Sequence, residues 1–356
     1  MMRTVILLSL LLGTVLSSLI LGYPPMYYIY VVHEILFLLL FFWFFGTIIL
    51  KKYVNLLEVF TLFLIFFFLI LSPVTKGLAP GYNSQYTGDP ITHVDYLAAE
   101  IGERPYMSDN ERKAAHYIQQ VLQEKGFSPT VDENVIVLTE GFKKEAVIFC
   151  AHYDTVPGSP GADDNASGVS VLLELSLVES PEYTIVLAFF SGEECGLVES
   201  GYFSYAFDRK IAGVICVDTV GVGEDFHISS LKENRFTSFF LSQVVYGLSD
   251  TGIPSIGPLY SDHVPFNRRG IRAIGLTRSV NRKYPHIHSE KDVTADNAKL
   301  VETGEAVQKV LYHFSYSETP YLFVYEALLL AATISGGLAL GLHKAMDRLK
   351  VRKEYS

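Results

Sequence analysis

The stretch VIFCAHYDTVPGSPGADDNASG, Val147 to Gly168, decides how this chain is read. The apolar run VIFCA meets His152 and, two residues on, Asp154. A Gly/Pro-rich loop then leads to the adjacent Asp163 and Asp164, and small residues after them read as a helix start. A short apolar run bounded by turn residues is the pattern of a buried strand. Charged groups are expensive to bury, so a buried strand that delivers an imidazole and a carboxylate needs a reason. In open α/β sheets the crevice beyond the carboxyl ends of the strands is where ligands bind.

Working outward, helix and strand patterns alternate from Ile91 onward. A short helix is expected over Thr92–Ile101. A longer one starts at Ser108, with Glu111 three residues on as a capping box, and ends at Gly126. Strands are expected at Asn134–Leu138, Ala146–Ala151, Thr184–Phe190, Ala212–Val217 and Arg272–Leu276. Helices fall at Gly168–Glu179, Ser200–Phe207, Arg235–Gly247 and Ala295–Phe314. Long crossovers between apolar strands imply an α/β fold: a mixed, largely parallel sheet flanked by helices on both faces. The first two strands lie close in sequence and are expected to form an antiparallel edge pair. IVLAFFSG runs into Glu193 and Glu194, and GVICV runs into Asp218. Three strands therefore deliver acids or imidazoles to one sheet edge.

Singly, these residues are unremarkable. A His-x-Asp after a strand is usually a hydrogen-bonded surface pair, two adjacent glutamates a solvated turn, and an aspartate after a strand a helix cap. Their concentration on one edge points to metal. Two divalent ions about 3.5–4 Å apart need a bridging carboxylate and private ligands for each, and zinc takes imidazole nitrogen and carboxylate oxygen. His152, one aspartate of the 163–164 pair, Glu194, Asp218 and a histidine of HIHSEKD (286–292) supply that set. Three ligand carboxylates leave about one net positive charge on the ion pair. Asp154 is placed to take the other ring N–H of His152. Glu193, beside a ligand and pointing elsewhere, suits a general base.

The ordered motifs HYD, GADDNASG, SGEECGL, VDTVG, SDHVPF and HIHSEKD resemble the M28 family of di-zinc peptidases over residues 91–315. The resemblance implies that His152 and Asp218 hold one zinc, Glu194 and His288 the other, and that Asp164 bridges them. Cobalt or manganese are alternative ions. It implies Glu193 as the base, Asp154 as the residue orienting His152, and a cis peptide between Asp164 and Asn165. His286 competes with His288 for the last metal position. Tyr284 is a candidate oxyanion donor. Ser261, Asp262 and His263 resemble a substrate-side loop, or form only a helix N-terminus. DDNASG is similar to the aminopeptidase members, so hydrolysis at peptide N-termini is the expected activity. No clear arginine cluster for a substrate carboxylate is visible, although Arg268, Arg269, Arg272 and Arg278 leave that open. The alternatives are a carboxypeptidase-like enzyme, a one-zinc glutaminyl cyclase, and a non-enzymatic binding or scaffold module.

Hydrophobic residues make up 49% of the 356, the mean hydropathy is +0.27, and the excess sits at the two ends. Met1–Leu21, Tyr27–Leu50, Asn55–Leu71 and Tyr321–Leu342 are candidate membrane helices, the first read as retained rather than as a cleaved signal. His33 and Glu34 fall inside the second, near its outer end. Arg3, Lys51, Lys52 and the basic tail HKAMDRLKVRKEYS all lie on the cytoplasmic side if the chain crosses four times, which puts Ser72–Pro320 outside. The expected organisation is a membrane region (1–76), an extracytoplasmic domain (77–318), a last membrane helix (319–343) and a cytoplasmic tail (344–356). Residues 72–90 read as a linker. A net charge of −10 with no basic patch in the middle of the chain argues against a nucleic-acid partner. A peptide substrate and the lipid bilayer are the expected partners. Three cysteines without a CxxC pair read as core residues rather than a disulfide framework.

Overall fold

The structure, a computed structural model, describes residues 54–83, 86–229, 235–255, 259–279 and 284–354. The candidate membrane helices Met1–Leu21 and Tyr27–Leu50, with His33 and Glu34, lie outside these residues. The chain divides into two compact units, Met1–Ala79 with Leu322–Ser356, and Pro80–Tyr321.

In the first unit the described residues form two helices, Val54–Leu78 and Leu322–Glu354, which pack on each other. Within them Glu58–Leu78 and Leu322–Ala345 are long and apolar enough to cross a membrane. Phe60, Phe63 and Phe67 stack along the first helix. A Cβ at Gly336 would make ordinary contact with the Phe63 ring at 3.9 Å, and one at Gly337 or Gly341 would meet nothing within 4 Å, so the approach of the two helices does not depend on the glycines of SGGLALG. The first helix does not end at Leu71 as the linker pattern implied. It continues through Pro73 to Leu78, and Thr75 Oγ1 donates to the Leu71 carbonyl on the way. A proline costs a helix one hydrogen bond, which a packed helix tolerates.

The second unit is the α/β domain. Its strands are β1 (Thr130–Val131), β2 (Val135–Thr139), β3 (Lys143–His152), β4 (Tyr183–Phe190), β5 (Ile211–Val217), β6 (His227–Ser229), β7 (Ile253–Ser255) and β8 (Ala273–Thr277). Its helices are α1 (Pro90–Asp95, continued as a π-helix over Tyr96–Ile101), α2 (Asp109–Glu124), α3 (Ser167–Leu173), α4 (Val198–Ala206), α5 (Arg235–Leu248), α6 (His263–Arg268) and α7 (Asn297–Tyr316). The sheet order is β1-β2-β4-β3-β5-β8-β6-β7. The centre, β4-β3-β5-β8, is parallel, while β2 and β6 run antiparallel to their neighbours β4 and β8.

Two expectations need correction. The first two expected strands do not pair, because β4 lies between β2 and β3. The link between them passes over the start of β4, where Gly141 N–H donates to Thr184 Oγ1 and Phe142 N–H to the Pro181 carbonyl. Any side chain at Gly141 would lie 2.4 Å from the Tyr183 carbonyl carbon, so only glycine fits the crossing. The helix expected over Gly168–Glu179 stops at Leu173, since Ser176 leaves it to exchange two backbone hydrogen bonds with the Gln308 amide of α7.

Strand alternation sends Ile148, Cys150, Val186, Ala188, Phe190, Val214 and Cys216 to one face. There Phe190 meets Phe203 of α4 and Phe266 of α6. The other face carries α3, which packs on β3 and β5, and α7, which packs on β4 and α3. Helices thus cover both faces and leave the carboxyl-end edge of the parallel centre as the place where polar chemistry can gather.

Candidate metal centre

Four of the candidates sit where a parallel strand ends. His152 closes β3, Glu193 and Glu194 come after β4, and Asp218 comes after β5. Asp164 arrives from the irregular turn before α3, and its peptide bond to Asn165 is cis. His288 comes from a tight turn in which both the N–H and the Oγ of Ser289 donate to the His286 carbonyl, and its φ is 60°. Thr219, next to Asp218, is also left-handed at φ 52°, a conformation a β-branched residue adopts only when its surroundings impose it. Its N–H reaches Asn165 Oδ1, its carbonyl accepts from the Arg278 N–H, and its hydroxyl bonds Thr277.

These side chains converge. His152 Nε2 lies 3.2 Å from Asp164 Oδ1, and His288 Nε2 lies 3.1 Å from Asp164 Oδ2 and 3.1 Å from Glu194 Oε2. Asp164 therefore stands between the two imidazoles, one oxygen to each. Two groups of possible metal donors result, His152 with Glu193 and Asp218, and Asp164 with Glu194 and His288. Within each group the donor atoms lie within 4.8 Å of one another. Asp218 Oδ1 is buried without a hydrogen-bond partner, the condition expected of a carboxylate oxygen shaped for a cation rather than a protein donor.

The electrostatics agree. Burial pushes the Glu193 carboxyl well above the usual range against the pull of His152, and Asp262, Asp218 and Glu194 push it further. Burial alone would raise Asp164 as well, but hydrogen bonds from the two imidazoles hold it below the carboxylate range. His288 is raised to about 10 by its bonds to Asp164 and Glu194. Such crowded negative charge is what bound divalent cations offset, and the donor set of imidazole nitrogen and carboxylate oxygen suits zinc.

Asp154 does more than the sequence suggested. Its Oδ1 lies 3.5 Å from His152 Nδ1, and its two carboxylate oxygens accept the backbone N–H groups of Glu193 and Glu194, at 3.1 Å each. Asp154 thus holds the imidazole at the end of β3, with its backbone carbonyl 3.2 Å from His152 Nδ1, and its carboxylate fixes the glutamate pair after β4. Asp163 is not a metal donor. It accepts from the Gly221 and Val222 N–H groups and from Ser279 Oγ.

The expected substrate contacts are placed differently. A cavity of about 410 Å³ over the centre is lined by Leu259, Tyr260, Ile287, Thr219, Thr277 and Ser279, together with Asp164, Glu193, Glu194, Asp218 and His288. Asp262 and His263 are fully buried and do not line it. Burial pushes Asp262 up to about 7 and His263 down to about 3. Ser261 does not cap α6 through its side chain, since its hydroxyl meets Cys216 Sγ. Tyr284 is buried, its phenol donating to Asp292 Oδ1, and the His286 ring stands edge-on to it, so neither belongs to the cavity wall.

Two supporting residues escaped the sequence analysis. Asp292 accepts the N–H groups of both Asp163 and Asp164, and its only signal was its place at the end of HIHSEKD. Arg104 is wholly buried and donates to the carbonyls of Leu97, Gly102, Tyr153, Pro160 and Gly161. It joins the loop carrying His152 and Asp154 to the loop that leads into Asp164.

Comparison with known proteins gives one consistent answer. Aminopeptidase YwaD of Bacillus subtilis is 29% identical over 221 residues, covering 54% of this chain and 47% of that protein. Leucine aminopeptidase 1 of Arthroderma otae is 26% identical over 237 residues, covering 53% of this chain and 63% of the relative. The chain thus spans about half the length of these relatives. Among solved structures, the zinc aminopeptidase BSAP of Bacillus subtilis superimposes with a TM-score of 0.57 at 15% identity, over 65% of this chain and 96% of that one. Porphyromonas gingivalis glutaminyl cyclase superimposes with a TM-score of 0.52 at 22% identity, over 63% of this chain and 96% of that one. At such identities the superpositions speak for the fold. Residues 134–311, half of the chain and the whole span from β2 into α7, match peptidase family M28, and the chain belongs to that family.

Proposed function

We propose that this chain is a membrane-anchored zinc aminopeptidase that removes N-terminal residues from peptides outside the cytoplasm. The observation that carries the reading is Asp164 between two imidazoles, with a Glu193 carboxylate oxygen within 4.8 Å of donor atoms of His152 and Asp218. His152 and Asp218 would hold one ion, Glu194 and His288 the other, and Asp164 both. Zinc held there would supply Lewis acidity to the scissile carbonyl and to the attacking water.

The chain's own residues do the rest. Asp154 fixes the ring of His152 and, through two backbone N–H groups, the direction of the glutamate pair. Glu193 accepts a proton from the water at its carboxylate and returns it to the departing amine. Leu259 and Ile287 give the cavity an apolar wall for the substrate. The two apolar helices of the first unit support anchoring in the bilayer, and the basic residues at the chain ends support a four-pass topology with a cytoplasmic tail.

The test uses the purified full chain. Two equivalents of zinc, cleavage of leucinamide but not of its N-acetyl form, and a Glu193→Gln variant that keeps its metal while losing about 10²–10⁴-fold in kcat are expected. One zinc with ring closure of N-terminal glutamine would instead establish a cyclase. Metal without turnover in the parent protein would establish a binding module.

A further inference from the structure

The mouth of the cavity has a chemistry that the metal centre does not use. Tyr260 both lines the cavity and is 55% exposed, so it stands where the cavity meets solvent. The guanidinium of Arg268, the last residue of α6, lies 5.7 Å from the Tyr260 ring centroid, and its Nη2 donates to the Tyr260 hydroxyl at 2.9 Å. Because the phenol oxygen is the acceptor in that bond, its own proton remains available. Arg268 and Tyr260 together present two donors and a positive charge, side by side, at the rim.

The charge is also unusual in its setting. The chain is acidic, with a net charge of −10, and many of the domain's exposed cations are taken by carboxylates: Arg112 by Asp109, Lys144 by Glu140, Lys210 by Glu145. Among the described residues Arg268 meets no carboxylate. Its neighbour Arg269 lies over the Tyr205 ring and meets none either. Between Asp262 and Glu290 the sequence has six arginines and lysines and no acid. Guanidinium paired with a hydroxyl donor is a bidentate receptor for carboxylate.

We propose that Arg268 and Tyr260 form a subsite for a substrate carboxylate, and that the preferred substrates are short peptides with a free C-terminus. The inference rests on the aminopeptidase reading. A peptide whose amino end lies among the acids of the metal centre leads its other end outward past Tyr260, negative end toward the Arg268 guanidinium at that rim. The chain would act as a scavenger of peptide fragments rather than a trimmer of folded proteins, whose C-termini lie far from the amino end being cleaved.

The experiment compares Leu-Gly-Gly with Leu-Gly-Gly-amide on the zinc-loaded full chain. The acid should be favoured by about tenfold in KM, the scale of one partly exposed charge-assisted pair. In Arg268→Ala the acid should fall to the value of the amide, and in Arg268→Lys part of the preference should return. Arg269→Ala, a change at a residue off the cavity wall, should keep it. An amide peptide carrying glutamate in place of the second residue distinguishes a side-chain carboxylate from a terminal one: if it alone is favoured, the free C-terminus is not what is read and the proposal falls. Equal KM for acid and amide in the parent, or an Arg268→Ala variant that keeps the difference, overturns it. Calorimetric binding of the same acid and amide pair with an N-methylated scissile bond reads the subsite without turnover. Failure of catalysis and failure of carboxylate recognition are thereby separated.

Discussion

Replacing Arg104 by methionine removes a side chain of similar length whose donors end on five backbone carbonyls, at 2.7 to 3.1 Å. The carbonyls of Gly102 and Pro160 are partly exposed and can rehydrate; those of Leu97, Tyr153 and Gly161 are buried with the guanidinium. A hydrogen bond to a charged group is worth about 1.5–3 kcal/mol and a stranded buried carbonyl costs about 1–3 kcal/mol. Three such losses amount to roughly 5 kcal/mol, against which the variant no longer buries a charge. A net loss of about 3–5 kcal/mol is expected, lowering the melting temperature by about 10 °C in a domain of this size. The only tryptophan, Trp43, lies outside the domain, so circular dichroism is the suitable signal. Because Arg104 joins the His152 loop to the Asp164 loop, zinc affinity should fall by about 10–100-fold as well, as when a partner of a metal ligand is removed. Arg104→Lys, which keeps the charge but not the fork, should fall between. A melting temperature within about 2 °C of the parent, with unchanged zinc affinity, would refute the view that this guanidinium holds the two loops together.

At the adjacent aspartates the expected effects divide. Asp163→Asn replaces an acceptor of three donors and should cost about 2–3 kcal/mol of stability while metal content persists, whereas Asp164→Asn should lose metal with little change in the melting of the metal-free protein; calorimetry with metal analysis reads both. His263 is buried and neutral, with its pKa pushed down to about 3, so the unfolded chain takes up the proton first. Its contribution to stability should therefore fade as pH drops from about 6.5 toward 3, and His263→Leu should flatten that acid limb in a denaturation series. Gly141→Ala forces a methyl group onto the Tyr183 backbone and should destabilise the domain by about 1–3 kcal/mol, seen as a lower melting temperature with normal metal content.

The sequence showed the candidate metal donors because their position is tied to something periodic. An apolar run must end somewhere, and His152, Glu193, Glu194 and Asp218 stand at or just past the ends of β3, β4 and β5. Strand order was less legible: β4 enters between β2 and β3 through the bond from Gly141 to Thr184, 43 residues away. Strands β1, β6 and β7 have only two or three residues each, too few for alternation to register. Substrate-side residues were misplaced for a related reason. SDHVPF looks like an exposed polar loop, yet its Asp262 and His263 turn beneath the sheet edge, and Leu259 and Tyr260 upstream form the wall. The supporting groups were hidden most deeply. Arg104 serves five carbonyls and Asp292 two N–H groups, and a backbone atom is the same in every residue, so no letter in the partner segment marks the contact. Ligand identity is written in side chains; the geometry that makes ligands of them is written largely in main-chain bonds, which only the folded chain displays.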